Sequence, residues 1–258
     1  MKSFLIGSVP FESVDEALDY VFSFDVPTLP NLPKIFENEF MLNQAFDVLK
    51  GYKFTGAGLK EDRDKQGANL HFSARDGFFE RLDSDYKWQA CGPLTLLSAL
   101  DHHPESERIV KQYLDRLIST QKEFNLLSDK SFLFFLDEPV LAFCENDKDI
   151  LKNFYIELKS SSAFDNAMFG VHVCSKVGLE TLTELELDLY AIDPSLYDKD
   201  EIKRMQQLLG QRLVYTPVSS KGLRISYNRL EEIYSAPACG GALSSECEME
   251  QIKNTLID

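Results

Sequence analysis

Short apolar runs alternate with amphipathic segments along the chain. Eight of these runs have the length of a strand and are apolar enough to be buried on both faces: residues 4–10, 28–33, 87–93, 132–139, 169–175, 189–193, 212–218 and 234–240. Strands of a parallel sheet that helices cover on both sides have this composition. The pattern therefore predicts a mainly parallel sheet.

The segments between the runs are predicted to be helices. Apolar residues recur at helical spacing in segments 14–22, 109–118, 150–158 and 202–209. Capping boxes precede the first helix, at Ser13 and Glu16, and a C-terminal helix, at Ser245 and Glu248. Strands that alternate with helices in this way predict an α/β protein with a single (β/α)8 TIM barrel over residues 1–258 and an excursion at about residues 37–87. A doubly wound open sheet is the alternative.

Charge and cysteine content narrow the class of function. The chain has 258 residues and a formal net charge of −15, which disfavours binding to nucleic acid or to an anionic membrane surface. Five cysteines, an odd number, suit a reducing compartment better than a framework of disulfides. We find neither a signal peptide nor an apolar stretch of the roughly 20 residues that a membrane span needs. We therefore expect a cytoplasmic protein.

Residue types that bind metals and substrates stand at the ends of the predicted strands. His172 and Cys174 are two positions apart, so their side chains share one face of a strand, and Cys239 ends the eighth run. Imidazole and thiolate bind zinc, and the carboxyl ends of barrel strands form the functional face. The alternative is a hydrogen-bonded core histidine beside cysteines that pack as small apolar residues. The same strand ends carry Ser8, Asp137, Glu138 and Asp193.

Five short motifs occur in the order of a known family. They are IGSVP at residues 6–10, QACGPLT at 89–95, DEPVL at 137–141, HVC at 172–174 and CG at 239–240. Together they resemble the catalytic barrel of cobalamin-independent methionine synthase, in the superfamily that also contains uroporphyrinogen decarboxylase. The resemblance extends over nearly the whole chain.

The resemblance implies a zinc-dependent methyltransferase that transfers a methyl group to a small thiol such as homocysteine. It makes His172, Cys174 and Cys239 ligands of one Zn²⁺ ion. It also implies that Ser8, Asp137 and Glu138 bind the substrate, with Asp137 as the catalytic residue that fixes the substrate ammonium. Asp193 lies near the position of a further glutamate ligand in the family, and the alternative is that its carboxylate caps the helix that begins after it.

Two departures from the family concern the methyl donor. The chain has the length of one barrel, whereas full-length methionine synthases add a second barrel that helps to bind a folate polyglutamate. It also lacks an obvious match to the HGEPER-like segment, which contributes a substrate-binding glutamate. The donor therefore stays open between a folate and a methylcorrinoid, free or on a partner protein. Uroporphyrinogen decarboxylation is disfavoured because it uses no metal and needs arginines. A non-catalytic zinc- or corrinoid-binding module remains the alternative.

Overall fold

The computed structural model describes residues 1–55, 58–101, 103–218, 234–241 and 244–257. Its strands are β1 (Lys2–Ser3), β2 (Tyr52–Thr55), β3 (Gly58–Glu61), β4 (Tyr86–Cys91), β5 (Phe132–Asp137), β6 (Ala167–Val173), β7 (Leu189–Ile192) and β8 (Tyr234–Ser235). Its α-helices are α1 (Val14–Val21), α2 (Met41–Asp47), α3 (Arg75–Arg81), α4 (Pro93–Leu100), α5 (Ser106–Leu127), α6 (Lys148–Lys159), α7 (Leu179–Glu184), α8 (Lys199–Leu209) and α9 (Glu246–Ile257). None of the described helices is both long and apolar enough to traverse a lipid bilayer.

Strands β4, β5, β6 and β7 form one parallel sheet in that order. Helices connect successive strands, as parallel pairing requires. Every residue of β4 and β5 is buried, which explains why both strands read as continuous apolar runs. The prediction of an α/β fold with parallel strands is therefore confirmed.

The other predicted segments pair more briefly. β1 pairs with β8 in parallel over two residue pairs. Single parallel bridges join Ser8 with Asn31, Thr28 with Lys87, Tyr190 with Leu213, and Tyr215 with Ser235. Each predicted strand segment thus pairs with the next along the chain, and the eighth pairs with the first. Prolines interrupt these shorter segments, and a proline has no N–H to give to a ladder.

Side chains of the sheet alternate between two sides and form two hydrophobic clusters. The larger cluster packs the sheet against the surrounding helices, with Trp88 and Phe134 at its centre. On the inner side, Gly170 has no side chain, and a Cβ there would lie 2.4 Å from the ring of Phe135. The smaller, inner cluster consists of Phe4, Ile6, Val26, Leu133, Phe135, Leu189, Ala191, Val214 and Ala236.

The predicted excursion contains α2, α3 and an antiparallel hairpin of β2 and β3. The excursion begins with a 3-10 turn at Glu37–Glu39, which is followed by α2. The fully buried carboxylate of Glu39 accepts hydrogen bonds from the backbone N–H of Leu32 at 2.5 Å and of Ser73 at 2.6 Å. These bonds hold the start of α2 close to the end of the second strand segment.

Candidate active site

A cavity of about 800 Å³ lies where the parallel strands end. Strands β4, β5 and β6 contribute to its wall, together with residues that follow β1 and β8. Five of the seven predicted site residues line this cavity: Ser8, Asp137, His172, Cys174 and Cys239. Residues from distant parts of the sequence therefore meet in one space of the size that ligand sites have.

Asp137 and His172 are neighbours because the register of β5 and β6 pairs them. Nδ1 of His172 lies 3.0 Å from Oδ1 of Asp137, and Nε2 lies 2.9 Å from the carbonyl oxygen of Ala238. The two residues are only 5% and 7% exposed. Burial lowers the pKa of His172, but the hydrogen bond and the charge of Asp137 more than offset this, and the pKa is raised. Both ring nitrogens thus face oxygen acceptors, and Asp137 favours the protonated form of the His172 ring.

Gln89 holds the other oxygen of Asp137. Its Nε2 donates to Oδ2 of Asp137 over 2.6 Å. Its Oε1 accepts from the backbone N–H of Gly7 at 2.7 Å and from Nζ of Lys87. Two donors on Oε1 determine which way the amide faces, so Gln89 is a fixed donor to the carboxylate.

The hydrogen bonds that link Asp137 to Gln89 continue to Lys87, on the inner side of the sheet. Its side chain is fully buried, with Nζ 5.6 Å and 5.0 Å from the ring centroids of Phe4 and Phe135. Burial lowers the pKa of Lys87 to about 7, although the charge of Asp137 opposes the shift. The sequence reading missed both Lys87 and Gln89. Two polar residues at alternate positions of a buried strand share one face, and that spacing was the available signal.

The thiols of Cys174 and Cys239 interact within the cavity. Cys174 follows β6, and Cys239 follows β8 in a segment that the bond from Ala238 N to Val218 O, at 2.8 Å, anchors. The hydrogen bond between the thiols lowers the pKa of Cys174 to about 7, against the effect of burial, and raises the pKa of Cys239. The pair therefore offers one thiolate near neutral pH, and the thiolate is the form that binds metals.

Two glycines let the first and last strand segments approach each other closely. A Cβ on Gly240 would lie 2.8 Å from the carbonyl oxygen of Ile6 and 3.1 Å from the backbone nitrogen of Ser8. Gly7 has a φ of +66°, and a Cβ there would lie 2.9 Å from Nε2 of Gln89. The glycines thus bring Ser8 and the segment of Cys239 to the same end of the cavity.

Glu138 is not among the residues that line the cavity, and its assignment to substrate binding stays a prediction. It is fully buried, and its carboxylate accepts hydrogen bonds from the backbone N–H groups of Leu94 at 2.9 Å and Thr95 at 2.8 Å. These amides belong to the first turn of α4, where a carboxylate satisfies free N–H groups. Burial raises the pKa of Glu138 to about 7.

Asp193 is likewise absent from the cavity wall. Its Oδ1 accepts hydrogen bonds from the backbone nitrogen of Ser195 at 2.9 Å and from the Ser195 hydroxyl at 2.6 Å. This is the capping arrangement that the sequence left open as the alternative to a zinc ligand. Its charge still acts on Cys174, whose pKa it raises slightly.

Among the described residues, no three His, Cys, Asp or Glu side chains stand together as a ready set of metal ligands. Nε2 of His172 is hydrogen-bonded to the Ala238 carbonyl, and the thiols of Cys174 and Cys239 are free and interact with each other. The donor types nevertheless fit zinc. Asp137 holds Nδ1 and leaves Nε2 as the ligand atom, an arrangement found beside many zinc ions. Two thiols and one imidazole would leave a fourth position for substrate.

Comparison with solved structures finds matches over almost the whole chain. One is a B12-independent methionine synthase from Shewanella sp. W3-18-1 in complex with selenomethionine, with a TM-score of 0.73 and 12% identity, covering 99% of this chain and 95% of that chain. The chain shares this fold. A methyltransferase from Methanosarcina mazei matches with a TM-score of 0.53 and 13% identity, over 98% and 92% of the two chains. No protein-family model and no curated protein matches the sequence. The structural resemblance to methionine synthase that the motifs predicted is thus confirmed for the fold.

Proposed function

We propose that this protein is a zinc-dependent methyltransferase that transfers a methyl group to a small thiol such as homocysteine. The observation that carries the proposal is the meeting of His172, Cys174 and Cys239 with Asp137 in one cavity. The fold shared with a methionine synthase and with a second methyltransferase supports it. Both matches extend over nearly the full length of the solved chains, so those proteins have the same fold in chains of similar length.

His172, Cys174 and Cys239 would hold the zinc ion. Zinc at this position would lower the pKa of a bound substrate thiol, so that the thiol meets the methyl group as a thiolate. Two interactions favour metal binding by these side chains. Asp137 keeps the His172 ring oriented through Nδ1, and the neighbouring Cys239 lowers the pKa of the Cys174 thiol. Binding would require Nε2 to release the Ala238 carbonyl.

The other cavity residues would bind the substrate. Asp137 uses one lone pair on each oxygen, for His172 and for Gln89, and a carboxylate can accept further bonds from an ammonium group. The Ser8 hydroxyl makes no hydrogen bond with the described residues and lines the same cavity. The methyl donor, a folate or a methylcorrinoid that is free or carried by a partner protein, would have to reach the same space.

We also propose that the strand segments close into a (β/α)8 barrel that forms one domain, with residues 37–87 as an excursion. Each segment pairs in parallel with the next, and β8 pairs with β1. The inner cluster receives side chains from five of the eight segments, the first, fourth, sixth, seventh and eighth. In such a barrel, the cavity lies on the face where barrel enzymes place their active sites.

A methyl-transfer assay with matched cysteine variants tests the proposal. Zinc-loaded protein is given homocysteine and, separately, labelled methylcobalamin or labelled methylfolate, and labelled methionine is measured. We expect transfer by the wild type and by Cys144→Ser, whose thiol is outside the cavity, and a loss of more than about ten-fold in Cys239→Ser. Undiminished transfer by Cys239→Ser would contradict the assigned ligands. A protein that binds zinc but transfers no methyl group would be the non-catalytic module.

A further inference from the structure

Lys87 is a buried ionisable residue that the proposed reaction does not use. Its side chain is fully buried in β4 and is not part of the cavity wall. Its Nζ lies over the rings of Phe4 and Phe135, and Gln89 is the one described residue to which it donates a hydrogen bond. A buried ionisable group lowers stability unless its partners compensate for the lost hydration. A single hydrogen bond is little compensation, so Lys87 calls for a role beyond packing.

The hydrogen bond from Lys87 determines which way the Gln89 amide faces. Oε1 of Gln89 accepts from Nζ of Lys87 and from the backbone N–H of Gly7, while Nε2 donates to Oδ2 of Asp137. If the amide turned over, its oxygen would face the Asp137 carboxylate and its NH2 group would face two other donors. Lys87 and Gly7 therefore both favour the orientation in which Gln89 donates to Asp137.

Asp137 carries this orientation to the cavity. Its Oδ2 is held by Gln89 at 2.6 Å, and its Oδ1 lies 3.0 Å from Nδ1 of His172. Contacts on both oxygens fix the plane of the carboxylate, and the register of β5 and β6 fixes the backbone on either side. Three successive hydrogen bonds thus connect Lys87, outside the cavity, with the ring of His172 in its wall.

We propose that Lys87 is a positioning residue of the candidate active site, which acts through Gln89 and Asp137 to orient His172 for metal binding. The inference rests on the proposed function, because it concerns the same site. Lys87 touches neither metal nor substrate. It keeps Gln89 donating to Asp137, so that Asp137 stays the acceptor for Nδ1–H of His172 and Nε2 is the nitrogen left for the metal.

Three variants and a matched control test the role of Lys87. Lys87→Met keeps a side chain of similar length and removes the donor, and Gln89→Leu removes the link to Asp137. The double variant removes both groups, so it leaves no buried lysine without its partner if Gln89→Leu folds poorly. Gln121→Leu is the control, because Gln121 is also a fully buried glutamine, is bonded to Asn125 at 2.6 Å and is not part of the cavity wall.

Two properties of the site and one of the fold are measured for each variant. Competition with a chelator gives the affinity for zinc. Proton NMR of zinc-free protein with isotope-labelled histidine follows the Nδ1–H proton of His172, which is assigned by its loss in His172→Ala. Denaturant titration gives the stability, which separates an effect on the site from a general loss of structure.

We expect Lys87→Met and Gln89→Leu to bind zinc about ten-fold more weakly and to shift or broaden the Nδ1–H signal of His172. Lys87→Met should nevertheless unfold at a higher denaturant concentration than the wild type, because the burial cost is gone. A merely structural lysine would not move stability and zinc affinity in opposite directions. The double variant should lose no more affinity than Gln89→Leu, since Lys87 acts through Gln89. Gln121→Leu should stay within about two-fold of the wild type.

Unchanged zinc affinity and an unchanged His172 signal in Lys87→Met would overturn the inference, even if the wild type transfers methyl groups. An equal loss of affinity in Gln121→Leu, or additive losses in the double variant, would overturn it as well. Zinc binding that depends on Lys87 in a protein that transfers no methyl group would leave the inference standing and reject the proposed function. A wild type that takes up no zinc would overturn both.

Discussion

The part of the sheet from β4 to β7 is regular, whereas the segments around β1 and β8 are not. In the regular part, continuous ladders pair six residues of β4 with β5 and six of β5 with β6. In the irregular part, single bridges, prolines and two closely packed glycines replace the ladders. The same fold thus combines strongly specified strand pairing with loose pairing.

The cavity lies between these two parts and draws on both. The regular part supplies Asp137 and His172, which strand register alone brings together. The irregular part supplies Ser8, Asn31 and Cys239, whose positions depend on local bends. The ladder thus fixes the carboxylate and the imidazole through strand register, whereas the positions of Ser8 and Cys239 depend on single bridges and on close contacts at glycines.

The largest effect on stability is expected in the regular part. Phe134→Ala removes a fully buried ring whose centroid lies 4.5 Å from that of Trp88, 5.1 Å from Phe164 and 6.0 Å from Phe169. We expect the free energy of unfolding to fall by about 3–5 kcal/mol in a denaturant titration. A fall under about 1 kcal/mol would mean that the ladder does not dominate stability.

Lys87→Met tests the comparison of the two parts further. Lys87 lies in β4, in the regular part, and its Nζ donates a hydrogen bond to Gln89, which holds Asp137 in the cavity. Burial lowers the pKa of Lys87 from 10.5 to about 7, so the unfolded chain binds this proton more tightly than the folded chain does. The free energy of unfolding of the wild type therefore rises as the pH increases from about 7 to 10.5. The variant should lose this slope and gain on the order of a few kcal/mol at neutral pH. It should also bind homocysteine more weakly, because Gln89 loses one donor. Denaturation at about pH 7 and about pH 9 compares the slopes, and identical slopes would refute the role given to burial.

Gly240→Ala tests the irregular part. The added Cβ would meet backbone atoms of Ile6 and Ser8, so the two segments must separate at a cost of about 1–3 kcal/mol. Zinc content should fall with stability. In the control, Gly178→Ala, the added Cβ meets only the carboxylate end of Glu145, which can rotate away. Equal losses in both variants would show that the close approach at Gly240 is unimportant.

The smallest effect is expected for Asp193→Ala. Loss of the cap on Ser195 should reduce the free energy of unfolding by about 1–2 kcal/mol, with zinc content unchanged. Metal analysis and denaturation of the same preparation measure both quantities. A loss of zinc as large as that in Cys239→Ser would make Asp193 a ligand after all.

Local pattern was sufficient to predict the four strands of the regular sheet and five residues of the cavity wall. His172 and Cys174 could be placed on one face because residues two apart on a strand share a side. The same rule separates Asp137 from Glu138, which are consecutive and so point to opposite sides, and applying it would have shown that Glu138 faces the helices.

The hydrogen bonds that link Asp137, Gln89 and Lys87 could not be predicted from the sequence. Gln89 is bonded to Asp137, 48 positions away, and to Gly7, 82 positions away. Such partners depend on the order and register of strands, which apolar runs do not specify.

The central claim is that His172, Cys174 and Cys239 bind one zinc ion, and metal analysis of purified, zinc-reconstituted protein tests it most directly. We expect about one zinc per chain in the wild type and in Cys144→Ser, and almost none in Cys239→Ser or in the double variant His172→Ala, Cys174→Ala. A wild type that takes up no zinc, or variants that retain it, would contradict the account.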